Sequence, residues 1–187
     1  MSLSPPVARQ LVHTRKIVCE GYEREDGLYD IEARMIDTKA FAFDHTRRGH
    51  LAAGTPVHDM QLRLTVDKDR VVRDIEVATH SAPYLDCFTV APAYKALIGA
   101  SLSSGWRRAV TEAVGGTKAC THLRELLMPA ATVAFQTSEG GQRGVKRALN
   151  ASGDAPKPFF INQCKAWSEN GDTVKSLFPH WYIKPLG

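Results

Sequence analysis

The feature of this 187-residue sequence that most constrains its fold is a change of hydrophobic period near residue 85. Before that point apolar and polar residues alternate, as in half-buried strands. After it, apolar residues recur every three or four positions, as in amphipathic helices. Strands that precede helices, rather than alternating with them, predict an α+β fold. We therefore expect an antiparallel β-sheet of about four or more strands, covered by three or four helices.

Two hairpins are predicted in the first part of the chain. The first pairs RKIVCEGYERE with LYDIEARMID, across EDG, where Gly27 can adopt a positive φ at little cost. In its second arm Tyr29, Ile31, Ala33 and Met35 alternate with polar residues. The second hairpin pairs MQLRLTVD with VVRDIEVAT, across DKDR. These four segments are enough for one antiparallel sheet.

Three helices are predicted after the strands. The segment APAYKALIG has a proline near its start and a glycine at its end, which favours a short helix. Two amphipathic patterns follow, in SSGWRRAVTEAVGG and THLRELLMPAATVAF. Pro129 interrupts the last pattern, since a proline inside a helix costs about 3 kcal/mol. We expect either a kink there or two short helices, the second opened by Pro129.

The predicted domain organisation has four parts. Residues 1–10 read as a disordered lead-in, residues 11–137 as the α+β core domain, residues 138–158 as a flexible linker rich in Gly and Ser, and residues 159–187 as a tail packing on the core. Within the tail, Asn170-Gly171 predicts a further hairpin turn. The tail is rich in aromatic residues, which more often form core than interface, so a protein partner for it stays open.

Composition excludes several classes of function. The formal net charge is +4, and basic residues are scattered among acidic ones, apart from HTRRGH and QRGVKR, so no nucleic-acid partner is expected. The apolar runs are shorter than a bilayer requires, and no membrane association is expected. The first residues, MSLSPPVARQ, do not resemble a signal peptide, and we expect a cytoplasmic protein. Four widely separated cysteines without a CxxC pair suggest free thiols or metal ligands.

The residues that could carry chemistry lie at the ends of predicted elements. Cys120-Thr121-His122 opens the last helix, and positive potential at a helix N-terminus favours a thiolate. Cys87 precedes the first helix, and His58-Asp59 precedes a strand. Sulfur combined with imidazole suits zinc, iron or an iron–sulfur cluster. The sequence therefore predicts a metal-binding accessory protein whose ligands come from His58, Asp59, Cys87, Cys120 and His122.

Three strings, REDGLYDIEARMIDTK, GTPVHDMQLRLTVD and CTHLRELL, together with the tail pattern CKAW…FPHWY, closely resemble a bacterial family, domain-of-unknown-function family 2889. The resemblance covers nearly the whole chain and implies soluble α+β proteins with no established activity. Over roughly residues 54–136, the order of elements also faintly resembles U-type iron–sulfur cluster assembly scaffolds. That resemblance would make the core scaffold-like, with Cys120 as the late cysteine ligand and His58 or Asp59 as the first-loop ligand.

The scaffold pattern differs from this sequence in ways that bear on the metal. The first loop of this sequence has no cysteine. Cys87 lies several residues after Ala82-Pro83, where the scaffold pattern would place its middle ligand. The histidine of the late motif follows Cys120, whereas in the scaffolds it precedes the cysteine. A set of ligands rich in histidine favours zinc or mononuclear iron over a transferable cluster.

Two other functions remain open from the sequence. One is a thiol-dependent enzyme, with Cys87 or Cys120 as the nucleophile and His122 or His58 as the base. The other is a structural or protein-binding module that holds no metal. Whether the protein is an enzyme is not decided by its sequence.

Overall fold

A computed structural model of the chain describes residues 2–141, 157–158 and 160–185. The chain divides into two compact units, residues 1–145 and 146–187. Most of the predicted linker, residues 142–156, lies outside the described residues, whereas residues 138–140 belong to the last helix of the first unit. Residues 2–10 are exposed and form neither helix nor strand.

The first unit is built on a four-stranded antiparallel sheet. Its strands are β1 (His13–Glu23), β2 (Tyr29–Lys39), β5 (Pro56–Val66) and β6 (Val72–Ser81), in the spatial order β1-β2-β5-β6. A separate small hairpin joins β3 (Phe43–His45) to β4 (Gly49–Leu51). The sheet and both large hairpins confirm the strand predictions. The β3–β4 hairpin was not predicted, because its strands are too short to show alternation.

Alternation along the strands places apolar side chains on one face of the sheet. On β2 this face carries Tyr29, Ile31, Ala33 and Met35, all at most 1% exposed. On β5 the same face buries four apolar residues at alternate positions: Met60, Leu62, Leu64 and Val66. The helices of the first unit pack against this face and complete the hydrophobic core.

Among the described residues of the first unit, three α-helices follow the strands, as predicted. They are α1 (Ala91–Tyr94), which continues as a 3₁₀ turn over Lys95–Leu97, α2 (Trp106–Val114) and α3 (Thr121–Gly140). A fourth, α4 (Asp172–Leu177), belongs to the second unit. The α+β class is therefore confirmed. None of the described helices combines the length and the apolar character that crossing a lipid bilayer would need.

Helix α3 continues through Pro129, so the alternative of two separate helices is wrong. Residues on both sides of the proline are fully buried: Leu126, Leu127, Ala130 and Ala134. Burial of one leucine side chain contributes about 1.5–3 kcal/mol, so two leucines alone offset the roughly 3 kcal/mol cost of the proline. Packing against the sheet therefore keeps the helix intact.

The second unit is helical where the sequence predicted a hairpin. Helix α4 begins directly after Gly171, and 3₁₀ turns over Lys165–Trp167 and Pro179–Trp181 flank it. The hairpin prediction was wrong because Gly171 has a φ of −93°, not the positive φ of a tight hairpin turn, and is the N-cap of a helix that buries Val174. Phe178 packs its ring against Phe160 and Trp167, with centroids 5.6 and 5.9 Å away.

Strand β1 approaches α3 so closely that only glycine fits at position 21. A Cβ atom on Gly21 would overlap the Oγ1 and Cβ atoms of Thr137 on α3. We expect Gly21→Ala to lower the free energy of unfolding by about 1–3 kcal/mol, measured by urea denaturation. Adding Thr137→Ala, which removes the overlapping Oγ1 but keeps Cβ, should recover part of the loss, and Gly140→Ala, where a Cβ meets nothing, should change stability little. An equal loss in the double variant would contradict the overlap as its cause.

Candidate functional site

A row of three polar side chains ends the apolar face of the sheet. Arg15 on β1 is the register partner of Asp37 on β2, and Asp37 is the register partner of His58 on β5. The alternation that buries Met35 on β2 and Met60 on β5 places Asp37 and His58 on the same helix-covered face. The row therefore lies where the hydrophobic core meets polar groups.

Asp37 is a carboxylate that is only 1% exposed and accepts hydrogen bonds at both oxygens. Arg15 donates from Nε to Oδ1 and from Nη2 to Oδ2, each at 2.8 Å. His58 Nδ1 lies 3.0 Å from Oδ2, and His13 Nε2 lies 3.3 Å from Oδ1. Burial alone would raise the pKa of Asp37, but Arg15, with a smaller contribution from His58, lowers it to about 2.

The bond to Asp37 fixes the orientation of the His58 ring. Because an ionised carboxylate can only accept, Nδ1 of His58 carries the proton in this bond. Nε2 is then the ring nitrogen that could bind a ligand. Burial and the neighbouring His122 lower the pKa of His58, so the neutral imidazole is favoured.

Helix α3 brings a second imidazole and a thiol to the same place. The ring of His122 stacks on that of His58, with centroids 3.8 Å apart and a 31° angle between the planes. Cys120 is the N-cap of α3 and has an extended backbone, so its Sγ can lie 3.9 Å from Nδ1 of His122. On its other side Sγ lies 3.7 Å from Sδ of Met60.

Cys120 and His122 shift each other's pKa in opposite directions. Burial would raise the pKa of Cys120, but His122 and the backbone N–H groups of Leu123 and His122 outweigh it and lower the pKa. The hydrogen bond to Cys120 in turn raises the pKa of His122 against its burial. Both shifts favour a thiolate–imidazolium pair at the N-terminus of a 20-residue helix.

The other two predicted ligands, Cys87 and Asp59, have different surroundings. Cys87 lies half-buried in a 3₁₀ helix, Leu85–Phe88, and packs against the core. Burial raises its pKa, with a further contribution from the charge of Cys120. Asp59 points to the opposite face of β5 from His58, because adjacent strand residues alternate. There Arg34 holds both its oxygens, at 2.8 and 2.7 Å, and lowers its pKa.

One group of possible metal ligands emerges among the described residues. Donor atoms of Asp37, His58 and His122 all lie within 4.8 Å of one another. His58 and His122 were predicted from the sequence, whereas Asp37 and its partner Arg15 were not. The signal for Asp37 was the alternation of Tyr29 to Met35, which, continued by one step, places a carboxylate on the buried face.

Comparisons with known proteins give one match. A family model described as a protein of unknown function, DUF2889, matches residues 13–136, more than half of the chain. No curated protein and no solved structure matches the chain. The resemblance to iron–sulfur scaffolds therefore has no support from these comparisons.

The pairing of Asp37 predicts a specific loss of stability in acid. Its pKa is lower in the folded protein, about 2, than the usual value of about 3.9. The pair therefore stabilises the fold above pH 4, and this contribution is lost as the pH falls through 2. We expect Asp37→Asn to lower the free energy of unfolding at pH 7 by about 2 kcal/mol and to flatten its pH dependence between pH 5 and 2.

Urea denaturation at several pH values would check this prediction. Asp69→Asn is the matched control, because Asp69 is two-thirds exposed and pairs with its neighbour Lys68 at the surface. An Asp37→Asn protein with the same acid dependence as the parent would show that Asp37 is not the group that titrates.

Proposed function

The chain belongs to the DUF2889 family, described only as proteins of unknown function, and we propose that it binds a transition-metal ion, zinc or iron, through His58, His122 and Cys120. The observation that carries the proposal is the group of Asp37, His58 and His122, whose donor atoms lie within 4.8 Å of one another, with Cys120 Sγ 3.9 Å from Nδ1 of His122. His58 is remote in sequence from Cys120 and His122, and its bond to Asp37 holds its ring in place.

The distance between Cys120 and His122 suits a bridging metal. Zinc binds sulfur at about 2.3 Å and nitrogen at about 2.0–2.1 Å, so tetrahedral ligands S and N lie about 3.6 Å apart. Sγ of Cys120 and Nδ1 of His122 are 3.9 Å apart, which a small side-chain rotation would correct. The lowered pKa of Cys120 supports the deprotonated sulfur that a metal requires.

Asp37 supports this site best as the group that orients His58. Arg15 occupies both carboxylate oxygens, so direct binding of a metal to Asp37 would have to displace a paired guanidinium. A carboxylate that holds Nδ1–H of a histidine leaves Nε2 to the metal and fixes the ring, an arrangement common in zinc proteins. Asp37 then acts through His58 without touching the ion.

Three ligands of this type leave a coordination position for water, a substrate or a fourth protein group. Cys87, which the sequence predicts as a ligand and which packs against the same hydrophobic core as Cys120, is the candidate for that fourth group. Mixed sulfur and nitrogen donors favour zinc or mononuclear iron, whereas an iron–sulfur cluster needs more thiolates. We therefore propose an accessory metal-binding role, with a cluster as the less favoured occupant.

A second candidate function is thiol chemistry at Cys120. The specific observation that favours it is the lowered pKa of a cysteine at a helix N-terminus beside a histidine. In this reading the Cys120 thiolate attacks an electrophile and His122 transfers the proton. Cys87, whose pKa is raised, is the weaker choice of nucleophile.

The metal proposal predicts the composition of protein purified without metal-chelating resin. Elemental analysis should find about one zinc or iron per chain. His58→Ala, His122→Ala and Cys120→Ala should each weaken metal affinity at least about tenfold, because each removes a ligand. Competition with a chromogenic chelator would measure the affinities.

Matched controls separate the site from unspecific binding. His50→Ala and Cys164→Ala change an exposed histidine and an exposed cysteine, and both should keep the metal. Asp59→Asn should keep it too, because that carboxylate pairs with Arg34 on the opposite face. Full metal content in a protein lacking both Cys120 and His122 would refute the site.

The thiol candidate predicts a distinct reactivity for Cys120. Peptide mapping of iodoacetamide-treated, metal-free protein should show half-maximal alkylation of Cys120 at a lower pH than of Cys19 or Cys87, whose pKa values burial raises. His122→Ala should shift the Cys120 profile to higher pH, since it removes the largest influence that lowers the pKa. An unshifted profile would mean that His122 does not activate the thiol, and protection by zinc would identify the thiol as a ligand.

A further inference from the structure

A cavity of about 480 Å³ lies between the β3–β4 turn and the segment that follows β6. Two contacts fix its walls to the same point of the sheet. Arg48 Nη1 donates to the carbonyls of Pro56 and Val57, at 3.0 and 3.3 Å, and Ser81 Oγ donates to the carbonyl of Pro56 at 2.9 Å. The cavity is therefore framed by segments that are tied to β5.

The polar lining of the cavity is basic. Arg47, Arg48 and His80 line it, and no acidic residue is among the described residues that do. Asp86, on the neighbouring 3₁₀ turn, does not line it. A concave site with two arginines and no carboxylate attracts anions, because a guanidinium binds carboxylate or phosphate through directed hydrogen bonds.

The apolar lining is exposed to an unusual degree. Tyr84, Leu85 and Phe88 line the cavity, and they are 52, 75 and 48% exposed. These three large apolar side chains lie within five residues of one another and beside two arginines. Burying them under a ligand would be favourable, because it removes apolar surface from water. Because basic and apolar groups share one cavity, its complement is a ligand with an apolar body and an anionic end.

We propose that this cavity binds a small organic anion, with an aryl or branched acyl body packed on Tyr84, Leu85 and Phe88. Its carboxylate or phosphate accepts hydrogen bonds from Arg47 and Arg48. The volume is within the range of small-molecule sites. The proposal does not depend on a metal or a reactive thiol. The cavity is still linked to the candidate site, since Arg48 binds the carbonyls of Pro56 and Val57, which precede His58, and the Leu85–Phe88 turn carries Cys87.

Calorimetric titration with three probes of one shape tests the proposal. The probes are 2-naphthoate, 2-naphthyl phosphate and the neutral 2-naphthamide. We expect one saturable site, at which at least one of the two anions binds about tenfold more tightly than the amide. The anion that binds more tightly then shows whether the site prefers a carboxylate or a phosphate. Arg47→Gln should remove the preference for the anion, and Phe88→Ala should weaken all three probes.

Control variants test whether the probes bind in this cavity. Arg107→Gln removes an exposed arginine on α2, and Val18→Ala trims an exposed apolar residue of β1; neither should change any affinity. Thermal unfolding would confirm that each variant is folded. Equal affinities for amide and anions, an equal loss in Arg107→Gln, or no binding of any probe up to its solubility would overturn the proposal.

Discussion

The buried carboxylate of Asp37 is the constraint on which the arrangement of the site depends. A charge that is only 1% exposed must be paired, and its partners come from the strands on either side. A one-residue slip of β2 would move Asp37 to the opposite face, together with the apolar residues that precede it. Charge pairing at one end of the sheet and hydrophobic burial along the rest therefore require the same register. That register is also what brings His58 to the edge of the core.

The start of α3 is positioned by an independent set of contacts. Tyr94 of α1 donates its hydroxyl to the carbonyl of Cys120 at 2.8 Å, and Trp106 of α2 donates its indole N–H to the carbonyl of Leu127 at 3.1 Å. Both donors are buried, so these bonds carry a cost if they are broken. The thiol of Cys120 is thus placed by the helices, and the imidazole of His58 by the sheet. The site forms where these two frameworks meet.

Much of the fold was predictable because it depends on local patterns. The sheet hairpins follow from alternation and from Gly27, and α2 and α3 follow from their apolar stripes. The site was predictable only in part, because it depends on which strands pair. In the sequence, His58 and Asp59 are equally good candidates for a ligand. Only the strand register shows that His58 faces the core and that Asp59, on the other face, pairs with Arg34. Asp37 was missed because a charged residue that continues an apolar alternation looks like the end of a strand. Its partner Arg15 is 22 residues away in sequence.

Metal binding and thiol reactivity at Cys120 are linked, because both use the same sulfur lone pair. Deprotonating a thiol of ordinary pKa at neutral pH costs about 1.4 kcal/mol for each unit between pKa and pH. Since His122 and the helix N–H groups lower this cost, they favour an incoming metal and an incoming electrophile alike.

A metal that binds Nδ1 of His122 must replace any proton held there, and the raised pKa of His122 therefore makes metal affinity increase with pH. Arg15 does not oppose the metal's charge strongly, because Asp37 and Glu125 neutralise it. In the proposed metal site, a proton on His122 would exclude the metal in acid, and toward alkaline pH a bound metal would replace that proton and hold the sulfur that would otherwise react.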